Sequence, residues 1–216
     1  MNEQFTDKNI ANLINQSKIY LPTSTPQFEE KALLSFIWDK RYCNFFNNKL
    51  GSNYFKLLRN IIPKTWILGE EQYIDGGLPS GKQNSLELAE LGKSNRKFVL
   101  KQSGFSSSSS WGEGVVFLHK ISGNKCSELL KLAFEDKNHL YVIQEFNQGK
   151  LTPMTYIDLN GELKSVNAKI RITPYYAYMG EHKGKLIATK VTGCENTEYI
   201  HASTASINTA VSYERD

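Results

Sequence analysis

The chain of 216 residues reads as an α+β protein on three observations. Apolar residues recur at helical spacing in the N-terminal part, short apolar runs stand between helical stretches as strands, and from Met154 onward the texture turns to β around an Asn160-Gly161 turn. Helices mixed with antiparallel hairpins, rather than a regular βαβ array, are what separate α+β from α/β.

Residues 1–27 form a polar lead-in. The part from 28 to 97 holds the N-terminal helices and a linker strand. Phe28, Ala32, Phe36 and Ile37 predict a helix from Gln27 to about Tyr42. Phe45, Phe46, Leu50, Tyr54, Phe55, Leu58 and Ile62 predict a second, from Asn44 to Ile62, with this stripe facing the core and Pro63 stopping it. Thr65 to Leu68 reads as a buried strand, and Glu70 to Gly81 as loop. Asn84 or Ser85 caps a helix over Leu86–Leu91. The part from 98 to 150 contains the strand Phe98–Lys101, a Ser/Gly loop, a returning strand over Val115–Leu118, a helix over Ser127–Glu135 and the strand Tyr141–Phe146. The part from 151 to 216 is β-rich.

Bulk properties narrow the classes. Twenty-six basic against 22 acidic residues give a net charge of +4, without a run that marks a nucleic-acid arm. No stretch reaches the roughly 18–20 apolar residues of a membrane span, and the N-terminus lacks the basic start and apolar block of a signal peptide, so the expectation is cytoplasmic, with neither a nucleic acid nor a membrane as partner. Cys43, Cys126 and Cys194 are far apart and odd in number, as expected of reduced thiols rather than a disulfide framework or a zinc knuckle.

Two segments could cradle phosphate. Gly76 to Lys82 satisfies G-x-x-x-x-G-K, but Gln83 stands where a P-loop needs a hydroxyl and Pro79 removes an N–H donor, so a surface loop is expected. The second is Lys101 and the loop after it. A lysine ending a strand has its ammonium at the sheet margin, and small residues leave backbone N–H groups to converge on an anion. Ser106, Ser107, Ser108, Ser109 and Ser110 add hydroxyls, and Gly112 and Gly114 allow the torsions of a wrap.

Phe98-Val-Leu-Lys101, the small-residue loop ending Gly114-Val115 and the strand Tyr141 to Phe146 resemble the ATP-grasp superfamily. Lys169-Ile-Arg171-Ile-Thr-Pro-Tyr-Tyr176, Gly184 to Thr189 and Ile200-His201 resemble one ATP-grasp-like group in particular. The resemblance implies two α+β subdomains gripping ATP between antiparallel sheets. It implies Lys101 on the α/β-phosphates, the loop Ser106 to Gly114 as lid, and Gln144, Glu145, Phe146 and Asn147 as adenine hinge. Lys31, with Lys40 as its rival, is the upstream lysine reaching the nucleotide. Arg171 and His201 become the catalytic candidates. Magnesium is expected with the fold, yet Ser206-Ile-Asn208 keeps an Asn without the usual carboxylate, leaving Asn208 as the metal candidate.

The activity so implied is an ATP-dependent carboxylate–amine or carboxylate–thiol ligase acting on a small carboxylate substrate through an acyl phosphate. Its alternatives are a degenerate nucleotide-binding domain without turnover and a structural or partner-binding domain. An additional N-terminal domain or a partner subunit would complete the substrate site.

Overall fold

A computed structural model describes residues 30–104, 109, 114–158, 160–178, 184–195, 197, 198, 200 and 206–210. Contacts divide the chain into two compact units, one ending at Phe146 and one beginning at Asn147. The architecture is α+β, with a four-stranded antiparallel sheet in each unit. Among the described residues no helix is long and apolar enough to cross a membrane.

In the first unit, α1 (Leu33–Phe36), α2 (Cys43–Leu50) and α3 (Ser52–Ile61) precede β1 (Thr65–Ile67). β2 (Phe98–Gln102), β3 (Val115–Phe117), α4 (Gly123–Glu135) and β4 (Tyr141–Glu145) follow, and the sheet order is β1-β4-β2-β3. The helix expected up to Tyr42 shrinks to the single turn α1 within the described residues. The backbone beyond it is claimed by another segment: Lys40 N–H donates to the Tyr73 carbonyl at 2.9 Å, and Asp75 N–H to the Trp38 carbonyl at 2.8 Å. The helix expected over 44–62 is broken at Gly51, whose φ of 79° lies in the left-handed region that glycine enters without a side-chain clash. Its stripe does not face the core as expected. Phe55 is buried and Phe46 stacks on it at 6.2 Å, whereas Phe45 and Tyr54 are exposed.

The core lies on one side of this sheet. Trp66, Phe98, Leu100 and Ile143 face Leu88, Leu118, Cys126, Leu130 and Ala133. Complete burial of a side chain such as Leu88 or Ile143 stabilises the fold by about 1.5–3 kcal/mol each. Cys126, Leu130 and Ala133 recur at helical spacing on α4, whose start is fixed by Ser122 accepting from Lys125 N–H at 3.3 Å. The helix expected at 86–91 is a 3₁₀ segment over Ser85–Glu90, capped by Asn84 Oδ1 accepting from Leu86 and Glu87 N–H. Trp66 Nε1 donates to Ser85 Oγ at 2.9 Å, so the indole buries without an orphaned donor. The expected surface loop at 76–82 is one: Lys82 pairs with Glu90 at 2.7 Å and Gly81 turns at φ 68°.

In the second unit, β5 (Leu151–Ile157), β6 (Leu163–Tyr178), β7 (Gly184–Cys194) and β8 (Ser206–Ala210) form a meander in that order. The hairpin expected at Asn160-Gly161 joins β5 to β6, with Gly161 at φ 81° and Asp158 Oδ1 accepting from Asn160 and Glu162 N–H, both at 2.9 Å. Tyr175 and Tyr176 are exposed beside an irregularity in the β6–β7 register. Met154 on β5 pairs with Val166 on β6, yet its sulfur lies against the backbone of Gly193 on β7, two strands away. A Cβ at 193 would collide with that sulfur and sit 3.3 Å from the Ala168 Cβ. Gly193→Ala is therefore expected to destabilise the second unit by about 1–3 kcal/mol, with Met154→Ala restoring part of the loss. A melting transition unchanged by Gly193→Ala would refute that packing.

Candidate functional site

The face of the first sheet opposite the core presents Thr65, Val99, Lys101, Val142 and Gln144, because cross-strand partners point to the same side. Lys101 is paired with Val142 and Gln144 with Val99, which makes Lys101 and Gln144 diagonal neighbours. Lys101 Nζ donates to Gln144 Oε1 at 2.5 Å, and Gln144 Nε2 donates to Thr65 Oγ1 at 2.8 Å. Thr65 Oγ1 in turn donates to the Pro63 carbonyl at 2.8 Å. The ammonium is thus aimed by a buried relay rather than by a carboxylate. Burial, and secondarily the charge of Lys31, push the Lys101 pKa below its ordinary value.

Lys31 reaches this neighbourhood from the turn before α1. Its Nζ donates to the Ser109 carbonyl at 2.7 Å, while Ser109 Oγ donates to the Gly104 carbonyl at 2.6 Å. Of the two upstream lysines, Lys31 is the one drawn toward Lys101; Lys40 is exposed on the turn bonded to Tyr73. Glu30, which was not among the expected residues, ties the two segments together. Its Oε1 accepts from Gly104 N–H at 2.9 Å and from the Ser103 hydroxyl. An acid immediately before the candidate lysine was the available signal. Ser106, Ser107, Ser108, Ser110 and Gly112 lie outside the described residues, whereas Gly114 offers its carbonyl to Gln102 N–H at 2.9 Å.

At the expected hinge, Glu145 N–H donates to the Lys64 carbonyl at 2.8 Å and Phe146 N–H to the Lys97 carbonyl at 2.9 Å. These two N–H groups are committed to the sheet margin. Phe146 stacks on His119 at 4.9 Å and 23°, and the edge of Phe117 meets Phe146 at 5.3 Å. Sequence pattern does not place His119 beside Phe146, because its approach depends on how β3 runs into the 3₁₀ turn Leu118–Lys120. Asn147 is exposed at the start of the second unit.

Within the second unit, Arg171, Thr192 and Asn208 are consecutive partners across β6, β7 and β8, and so form one row on one face. Lys169, Cys194 and Ser206 form the next row, and Lys190 follows Thr192 at the alternate position of β7 on that same side. The face is cationic. Thr192 Oγ1 donates to Asn208 Oδ1 at 2.9 Å, and Asn208 Nδ2 donates to Ser206 Oγ at 3.3 Å. His201 lies outside the described residues.

A divalent cation does not fit these donors. Hard cations sharing a site with phosphate take carboxylates, and Asn208 Oδ1 already accepts a hydrogen bond. A cavity of about 610 Å³ beside β8 includes Asp158 and Asn208 in its wall. Asp158 is held by the hairpin N–H groups and by Lys164 at 3.7 Å. Among the described residues no three His, Cys, Asp or Glu side chains are grouped to hold a metal ion.

No family model, curated protein or solved structure matches the chain.

Proposed function

We propose that the chain binds ATP, as the nucleotide-binding module of an ATP-dependent ligase that joins a carboxylate to an amine or a thiol through an acyl phosphate. The ATP-grasp resemblance of the sequence supplies the reaction class. The observation that carries the reading is the approach of Lys31 and Lys101, two ammonium groups from segments 70 residues apart, neither with a carboxylate partner among the described residues. Two such groups at a sheet margin are repelled by each other, and an anion relieves that repulsion. Phosphate oxygens are the ligands matched to two point charges and the hydroxyl-rich loop that follows. The Phe146–His119 pair offers an aromatic platform for a purine.

The second reading, nucleotide binding without turnover, is favoured by the Arg171–Thr192–Asn208 row, which holds an Asn and no carboxylate for a cation. Thermal melting separates the two. ATP at millimolar concentration is expected to raise the melting temperature through preferential binding to the folded state. A rise only with magnesium supports the ligase, and a rise regardless of metal supports the binding module. If neither ATP nor ADP shifts the transition, both readings fall.

A proton accompanies the ligand. Phosphate beside Lys101 pulls its depressed pKa back up, so in the interval below the ordinary lysine pKa of 10.5, ATP binding takes up protons. Calorimetric titrations at alkaline pH in buffers of different ionisation heat are expected to show this uptake, and Lys101→Met to remove it. The sign for stability follows the same linkage. In that interval the unfolded chain holds the proton that folded Lys101 has released, so this group's contribution to stability rises with pH there and is least favourable below it.

A further inference from the structure

The hairpin of α2 and α3 exposes apolar side chains that a folded surface ordinarily covers. Tyr54 is 68% exposed, Leu57 50% and Ile61 65%, and Phe45 on α2 is 56% exposed. Tyr54, Leu57 and Ile61 fall at i, i+3 and i+7, which places them in one stripe along α3. The opposite side of the helix is anchored. Phe55 is buried, and the Arg59 guanidinium lies 4.6 Å from its ring centre and 5.0 Å from that of Trp38. The stripe is therefore presented on a fixed base.

Its charge is one-sided. From Lys40 to Gly69 the sequence has six basic residues and no Asp or Glu. Three of the six are engaged: Arg41 with Asp39 and Glu70, Arg59 with Asp75, and Lys64 with the Gly77 carbonyl. Lys40, Lys49 and Lys56 are exposed and have no ion-pair partner among the described residues. Asn44, Asn47, Asn48, Asn53 and Asn60 are exposed as well.

We propose that this hairpin is the docking surface for an acidic amphipathic helix of a partner protein. A stripe at i, i+3, i+7 is the pattern that packs against a second helix. The three lysines select an acidic flank and would oppose a second copy of the same basic surface. The asparagine rim supplies hydrogen-bond donors and acceptors to a protein surface, whereas burial in lipid would leave those amides without partners.

The test uses three synthetic helical peptides with leucine at the seam positions and Glu, Gln or Lys flanks, followed by fluorescence anisotropy with the full chain at physiological salt. The Glu peptide is expected to bind more tightly than the Gln peptide, and the Lys peptide least. Leu57→Glu or Ile61→Glu, at positions too exposed to threaten folding, should weaken it by about tenfold or more. Lys49→Glu with Lys56→Glu should reverse the preference toward the Lys peptide. Binding of no peptide, or binding indifferent to flank charge, overturns the proposal. So does a dimer in sedimentation that Leu57→Glu dissolves, since a second copy is then the occupant. Cosedimentation with phosphatidylserine vesicles that Leu57→Glu abolishes would give the surface to lipid instead.

Discussion

Lys101→Met is expected to weaken ATP binding by roughly 10- to 100-fold, the loss of a charge-assisted hydrogen bond worth about 1.5–3 kcal/mol. The same substitution has opposed effects on the ligand-free fold. It removes an ammonium that burial and Lys31 disfavour. It also leaves Gln144 Oε1 without its donor on a residue only 8% exposed. An orphaned buried acceptor costs about 1–3 kcal/mol, and removal of the buried ammonium offsets part of that cost. The expected pattern is a large fall in affinity with a small change in melting temperature, read by titration calorimetry and denaturation on the same sample. Lys101→Arg should not restore affinity, because a planar fork cannot occupy the place of a point charge held by a single amide oxygen. Full ATP affinity in Lys101→Met would remove the phosphate role from this lysine.

The parts of this site that were legible in the sequence are those fixed by local pattern. Phe98–Lys101 and Tyr141–Phe146 are short apolar runs between polar segments, and both form strands within a residue of the expected limits. What local pattern could not give is register. Gln144 becomes the partner of Lys101 only because β2 and β4 pair with Val99 opposite Gln144, a relation set by the whole sheet. The Arg171–Thr192–Asn208 row has the same origin, three residues brought together by two register choices. His119 and Glu30 escaped for a related reason, since each acts through a contact with a segment distant in sequence or round a turn. Periodicity also misled where it was strongest. The stripe over 44–62 predicts one core-facing side, yet Phe55 is buried while Phe45 and Tyr54 are exposed, because spacing does not state which of its members are covered. A glycine in mid-pattern, Gly51, was the local clue that one helix would become two.

Arg96 is where the fold itself is most sensitive to a single change. The guanidinium is 1% exposed and donates to two carbonyls, Ala89 at 3.0 Å and Ile121 at 2.8 Å. It thereby ties the end of the 3₁₀ segment at 85–90 to the approach of α4, and its own carbonyl accepts from Phe98 N–H at 2.8 Å, at the start of the strand that carries Lys101. Its Nε has no hydrogen-bond partner among the described residues, and the partners of its other nitrogens are neutral. A buried cation without a counter-charge is held by hydrogen bonds alone, so its value lies in satisfying Ala89 and Ile121 rather than in ionic attraction. Arg96→Ala removes both bonds and opens a cavity, and is expected to cost about 3–5 kcal/mol in chemical denaturation. Arg96→Met also loses the bonds, but it fills most of the stem volume and removes the desolvated charge, so its cost should be clearly smaller. The order of the two variants is the decisive readout. If Met were as damaging as Ala, the bond to the carbonyls would outweigh both cavity and charge; if Ala were tolerated, Arg96 would not be the tie between these segments.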